Sequence, residues 1–321
     1  MRRAVPLLLV LASGLALTAC GQQADPPESP ARPTSSDDPR FQPLAAYDIS
    51  EDDGRTIGRA RWTLAKECMA RLGFDSLKNL ATDPVPAWPQ RPSGTGVAVL
   101  IAYHTSGDLR YGVQDAGKAA RYGYEVARAD YERTYPDKKW TLSEYLALTG
   151  EFVGDDPKSV RGHRIPKRGC LGEADREIYG SNLQDRIDPV LDLESESLRQ
   201  GKRDTAWNKA DKAWSDCMRK AGYRYATPED AATGRDRDRQ ELEEQLNTPG
   251  YDPDEPSALE KKTATADARC KQRTGYVRTV HAIDVRVQQR LIAKNRTKLE
   301  EQRDWNRDAV RRAGDIIEDQ D

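Results

Sequence analysis

Apolar residues recur along this chain in three rhythms. Between Val5 and Leu17 they run almost without a break, interrupted only by Pro6, Ser13 and Gly14. That run is too short to span comfortably the roughly 30 Å of membrane hydrocarbon, which takes about 20 residues of helix. The second rhythm is helical. Trp207, Ala210, Trp214, Cys217 and Ala221 follow one another at spacings of three and four, and Trp62, Ala65, Cys68 or Met69, and Leu72 do the same, so each set shares one helical face. Helical spacing also marks 173–200, patches near 115–133 and 141–148, and the stretch 258–320. In the last, Val277, Val280, Asp284, Val287 and Leu291 lead on to Leu299, Trp305, Val310 and Ile316. A helix of that length either packs along 173–200 and 204–221 or meets a partner. Thr141 and Glu144 have the spacing of a capping box. The third rhythm is a single β-branched run, residues 97–103, bounded by Gly94, Gly96 and Gly107, which predicts a strand.

One helical pattern occurs twice. Glu67-Cys68-Met69-Ala70-Arg71-Leu72-Gly73-Phe74 parallels Asp216-Cys217-Met218-Arg219-Lys220-Ala221-Gly222-Tyr223, 149 positions later. Each reads acid, Cys, Met, three residues, Gly, aromatic. Gly73 and Gly222 suit the left-handed position that ends a helix, with the next aromatic folding back on the last turn. Each copy leads, after an irregular excursion, to another cysteine, Cys170 or Cys270, with helical sequence beyond it. The fold class expected is therefore mainly α. Two similar helical halves are each stapled by a disulfide, and a small mixed excursion with few short strands lies in the first. The repeat favours Cys68–Cys170 and Cys217–Cys270; four cysteines allow two other connectivities. Expected boundaries are 1–19 as signal peptide, 20–50 as tether, 51–203 as the first half with its Tyr-rich excursion, and 204–321 as the second half ending in a long charged helix.

Composition narrows the picture. Hydrophobic residues make up 37% of the chain, below the usual 45–50%, so one thick core is not expected and the two staples gain weight. Residues 21–43 hold six prolines among Ser, Asp, Gln and Glu, the composition of a flexible tether. Charge is nearly balanced at −2; losing Arg2 and Arg3 with residues 1–19 leaves 49 basic against 53 acidic residues, net −4. That offers no basic footprint for nucleic acid. Mean hydropathy of −0.85 argues against a further membrane span.

Arg2 and Arg3, the apolar run and the small residues that follow have the order of a secretory signal. Leu17-Thr18-Ala19-Cys20 resembles the bacterial lipobox. The resemblance implies that Cys20 carries a diacylglyceryl group, with palmitate-type chains, and becomes the first residue after cleavage. Two chains give stable anchoring at the extracytoplasmic face of the cell membrane. The Cys-Met-x-x-x-Gly-aromatic helix and Ala266-Asp267-Ala268-Arg269-Cys270 resemble a widespread group of uncharacterised lipoproteins of high-GC Gram-positive bacteria. The first half departs from it, because Ala174-Asp175 follows Cys170 and does not precede it. This resemblance implies the address and the disulfides, and no activity.

Three function classes remain. For an enzyme the chain lacks a Gly-x-Ser-x-Gly elbow, a His-Glu-x-x-His helix and a phosphate-binding loop. No catalytic residue is assigned, and His104, after the expected strand, is the one to test for a hydrolase. No cofactor and no metal site is expected: the three histidines, His104, His163 and His281, stand apart from the cysteines. A small-ligand receptor would need two many-stranded lobes. A non-catalytic envelope interaction protein fits best, with an envelope protein or cell-wall polymer as partner. Its possible contact surface is the tyrosine-rich excursion, notably Tyr103, Tyr111, Tyr122 and Tyr124; the alternative is that these tyrosines build the core.

Overall fold

The computed structural model describes residues 41–92, 110–124, 139–181, 186–233 and 256–319, which all fall in one compact unit. About two thirds of them are helical. Ten α-helices are described: α1 Glu51–Arg71, α2 Ala116–Tyr122, α3 Leu142–Thr149, α4 Gly169–Tyr179, α5 Pro189–Gly201, α6 Thr205–Lys220, α7 Pro228–Thr233, α8 Ala258–Thr274, α9 Tyr276–Lys294 and α10 Arg296–Glu318. The one described sheet is the hairpin β1 Ser159–Val160 and β2 His163–Arg164. The run 97–103 expected as a strand lies outside the described residues.

The two repeat copies end their helices in the same way. In α1 the amide of Phe74 donates to Met69 O at 2.9 Å and that of Gly73 to Ala70 O at 2.9 Å. In α6 Tyr223 donates to Met218 O at 3.0 Å and Gly222 to Arg219 O at 3.1 Å. Gly73 and Gly222 have φ of 84° and 94°, as the left-handed exit requires. Nothing stands within 4 Å of a Cβ built on Gly222, so Gly222→Ala carries backbone strain alone, about 1–2 kcal/mol. At Gly73 the added Cβ also meets Arg161 Cδ at 3.2 Å. Urea unfolding of the two variants should therefore rank Gly73→Ala as the more damaging. Arg161 is held there because it turns the β1–β2 hairpin, lies over the Phe74 ring at 4.5 Å and donates to Gly73 O.

Two disulfides, Cys68–Cys170 and Cys217–Cys270, join α1 to α4 and α6 to α8. Around the first, Trp62, Met69, Leu72, Phe74, Trp140, Leu146, Leu148 and Leu171 form one core cluster. Around the second, Trp207, Trp214, Met218, Tyr276, Val280, Ile283 and Val287 form another. Thr141 and Glu144 cap α3 reciprocally, the box their spacing predicts.

The long helical stretches are divided. Gly180, at φ 71°, ends α4 well before residue 200. The stretch 258–320 is three helices, broken at Gly275 and Asn295. All three pack inside the body: α10 lies on α1 and α4, α9 on α5 and α6, and α8 on α2 and α6. Thus α2, from the first excursion, completes the second core, while α10, from the C-terminal end, covers the first-half helices through Ala60, Ile178, Ala309 and Ala313.

The entry segment belongs to the body as well. Residues 41–50 were expected to continue the tether, but Pro43–Tyr47 is a 3-10 helix with Leu44 fully buried between Val190 and Leu299. One well-placed apolar side chain and the hydrogen-bond partners of Gln42 outweigh the Pro-rich composition.

Candidate functional site

Three buried polar networks link helices among the described residues. The largest forms where the entry segment meets α9. His281, Asp284 and Gln288 recur along one face of α9. Arg110 Nε donates to Asp284 Oδ2 at 2.7 Å, and the Tyr111 hydroxyl donates to the same oxygen at 2.7 Å. Arg110 also reaches Ser197 Oγ of α5 at 2.9 Å. Gln42 Nε2 donates to the Tyr111 hydroxyl at 3.2 Å, Gln288 Nε2 donates to Gln42, and Leu44 N donates to Gln288 Oε1 at 3.2 Å. Phe41 stacks on His281 with centroids 4.2 Å apart, and its carbonyl is 2.7 Å from His281 Nε2.

Charge explains the pairing. Burial alone would push the Asp284 carboxyl up; the hydrogen bond and charge of Arg110 outweigh it and hold the group below the usual carboxylate range. Burial likewise opposes the Arg110 charge, and Asp284 more than offsets it. The Tyr111 hydroxyl is pushed up by burial and by the neighbouring carboxylate, so it stays a neutral donor.

The second network seats the excursion on α8. Lys271 and Asp267 pair at 3.0 Å with side chains 1% and 0% exposed. Trp214 Nε1 donates to Asp267 at 2.8 Å, and Lys271 donates to Val113 O at 3.2 Å. Gly112 is required there: its φ is 77°, and a Cβ would stand 2.7 Å from Lys271 Nζ. Burial pushes the Asp267 carboxyl up and the Lys271 ammonium down, against the attraction between them. Glu260 accepts from Tyr124 N at 2.8 Å beside it.

The third joins α1, α4 and α10. Arg61 Nε donates to Asp175 at 2.6 Å, and Arg312 Nε to Ile178 O at 2.5 Å. Trp305 stacks on Tyr179 at 4.8 Å, and the Arg186 guanidinium lies 4.1 Å from the Trp305 ring centroid. The acid of each Ala-Asp pair thus has a structural partner: Arg61 for Asp175, Trp214 and Lys271 for Asp267.

These groups satisfy one another and face inward, so the networks act as joints between helices. Among the described residues no three His, Cys, Asp or Glu side chains converge as metal ligands, and no helix is long and apolar enough to cross a membrane. One surface depression of about 550 Å³ opens between α5 and the α9–α10 junction, lined by Asp192, Glu196, Arg199, Asn295 and Lys298 among others. It carries both signs of charge.

The four sequence-selected tyrosines part company. Tyr111 is 6% exposed and is not a contact surface, because its hydroxyl is consumed by Asp284 and Gln42. Tyr122 and Tyr124 are half-buried against the α2–α8 contact. Tyr103, His104 and Cys20 lie outside the described residues. Sequence reading missed Arg110, Asp267 and Lys271 as joint residues. The available signals were Asp284 on the apolar stripe of α9 and Asp267 beside Cys270. No family model matches the chain, and no curated protein or solved structure is similar to it.

Proposed function

We propose that the chain is an extracytoplasmic lipoprotein, anchored through Cys20, whose helical body works by non-covalent contact with an envelope protein or cell-wall polymer. The observation that carries the reading is the allocation of cysteines. Four of the five are joined in two intramolecular bridges, and the one left over is the cysteine of the lipobox-like segment. Stable disulfides belong to oxidising compartments outside the cytoplasm, which agrees with export. The contact reading is supported by the inward use of the buried carboxylates: Asp175, Asp267 and Asp284 are engaged in joints between helices.

Two experiments test the two parts. Cys20→Ser should move the protein from the membrane to the soluble extracytoplasmic fraction; retention on the membrane after a high-salt wash defeats the anchor. Envelope extracts passed over the immobilised body should yield a specific protein or glycan. If no partner is retained while a metabolite raises the melting temperature, the contact reading gives way to a small-ligand receptor.

A further inference from the structure

The two bridges sit in different surroundings. Cys68 and Cys170 are 2% and 0% exposed, inside the first core. Cys270 is also 0% exposed, but Cys217 is half-buried at the last turn of α6, and its contact with Arg273 lies at the surface. The exposed guanidinium of Arg273 lies across this second bridge, Nη2 standing 2.8 Å from Cys217 Sγ and 3.3 Å from Cys270 Sγ. Arg273 is three positions after Cys270 on α8, which places it one helical turn away on the same face.

We propose that Cys217–Cys270 is a thiol-exchange site that takes an external dithiol, while Cys68–Cys170 is an inert staple. A thiolate of the dithiol attacks the accessible Sγ of Cys217. The S–S bond breaks with its electron pair on Cys270 Sγ, and a mixed disulfide forms between the dithiol and Cys217. The second thiolate of the reagent then attacks its own sulfur in that mixed disulfide and expels the Cys217 thiolate. The dithiol leaves as a disulfide, two electrons have passed to the protein, and the two protons of the dithiol end on Cys217 and Cys270. Arg273 favours both steps. Its charge draws the incoming thiolate, and it touches each sulfur that becomes a leaving thiolate; exchange is faster when the leaving thiolate is stabilised. The first bridge, with both cysteines enclosed in the first core, offers no comparable access. After reduction α8 stays docked through Trp214–Asp267 and Lys271, so opening loosens the end of α6 without unfolding the body. This inference stands apart from the envelope reading.

The test uses the full chain under native conditions. The protein is exposed to dithiothreitol for increasing times, trapped with an alkylating agent and mapped by peptide. Cys217 and Cys270 should become alkylated well before Cys68 and Cys170. Arg273→Gln should slow the second bridge about fivefold, the effect of one unit charge at close range in water. Arg219→Gln, which removes a neighbouring exposed charge engaged with Asp216, should leave the rate unchanged. Opening of the first bridge at an equal or faster rate overturns the site. An Arg273→Gln rate equal to the parent's, or an Arg219→Gln rate slowed as much, overturns the role of Arg273. Far-UV spectra of the variants confirm that each compared protein is folded.

Discussion

A protein in which Cys68 and Cys170 are both replaced by alanine is expected to lose about 4–5 kcal/mol of stability. The bridge closes a sequence separation of 102 residues, against 53 for the second. Constraint of the unfolded chain grows with the logarithm of loop length, so the first bridge contributes more, by about 0.5 kcal/mol on the same model. Removing its sulfurs also empties space among Met69, Leu72 and Leu171, and cavity formation adds to the loss. In a body of this size each kcal/mol moves the melting temperature by about 2–4 °C, so calorimetry should show a fall on the order of 10–15 °C. A fall of only a few degrees would mean that packing alone holds α1 to α4.

Asp284→Asn should be nearly as costly, about 3–5 kcal/mol, although it changes little in shape. The Arg110 side chain is 8% exposed and Asp284 0%. Without the carboxylate the buried guanidinium loses its nearest counter-charge, and one of the two oxygens that accept hydrogen bonds there is replaced by an NH2 donor. The pH dependence has a definite sign. The folded carboxyl titrates below its ordinary value of 3.8. Its stabilising contribution is therefore complete above about pH 4 and is lost as pH falls through the lower folded value. Denaturant melts of parent and variant should differ most at neutral pH and converge in acid. A gap that stays constant from pH 7 to pH 3 would show that the charge is not what holds this joint.

Local chemistry and the repeat were readable from the sequence, and the polar partnerships across the fold were not. The helix ends at Gly73 and Gly222, the capping box at Thr141 and the bridge pairings follow from a few adjacent residues or from the repeat, and the structure has each of them. The breaks at Gly275 and Asn295 were hidden because apolar residues keep a helical spacing on both sides, and a pattern of spacings does not register a change in axis direction. Tyr111 looked like a contact residue because Tyr is amphipathic. Its burial is decided by Asp284, 173 positions away. The entry segment was misassigned for the same reason, since Leu44 meets its neighbours only once α5 and α10 are assembled. What the polar networks do became visible only when the geometry showed their groups turned toward one another.

The exchange of helices between the two ends of the chain bears on how it folds. Helix α1 is made first, yet the face bearing Ile57 and Ala60 is covered by Ala309 and Ala313, some 250 positions later. During synthesis only Ile178 and Tyr179 of α4 can lie against that face until almost the whole polypeptide exists. Contacts of such long range slow folding and leave apolar surface exposed in the interval. The early Cys68–Cys170 bridge can form once residue 170 has emerged, and would then hold α1 against α4 as a half-covered unit waiting for α10. A chain stopped before residue 296 keeps both of its bridges and lacks the helix that closes the body, so its fate would be set by what meets the open face first.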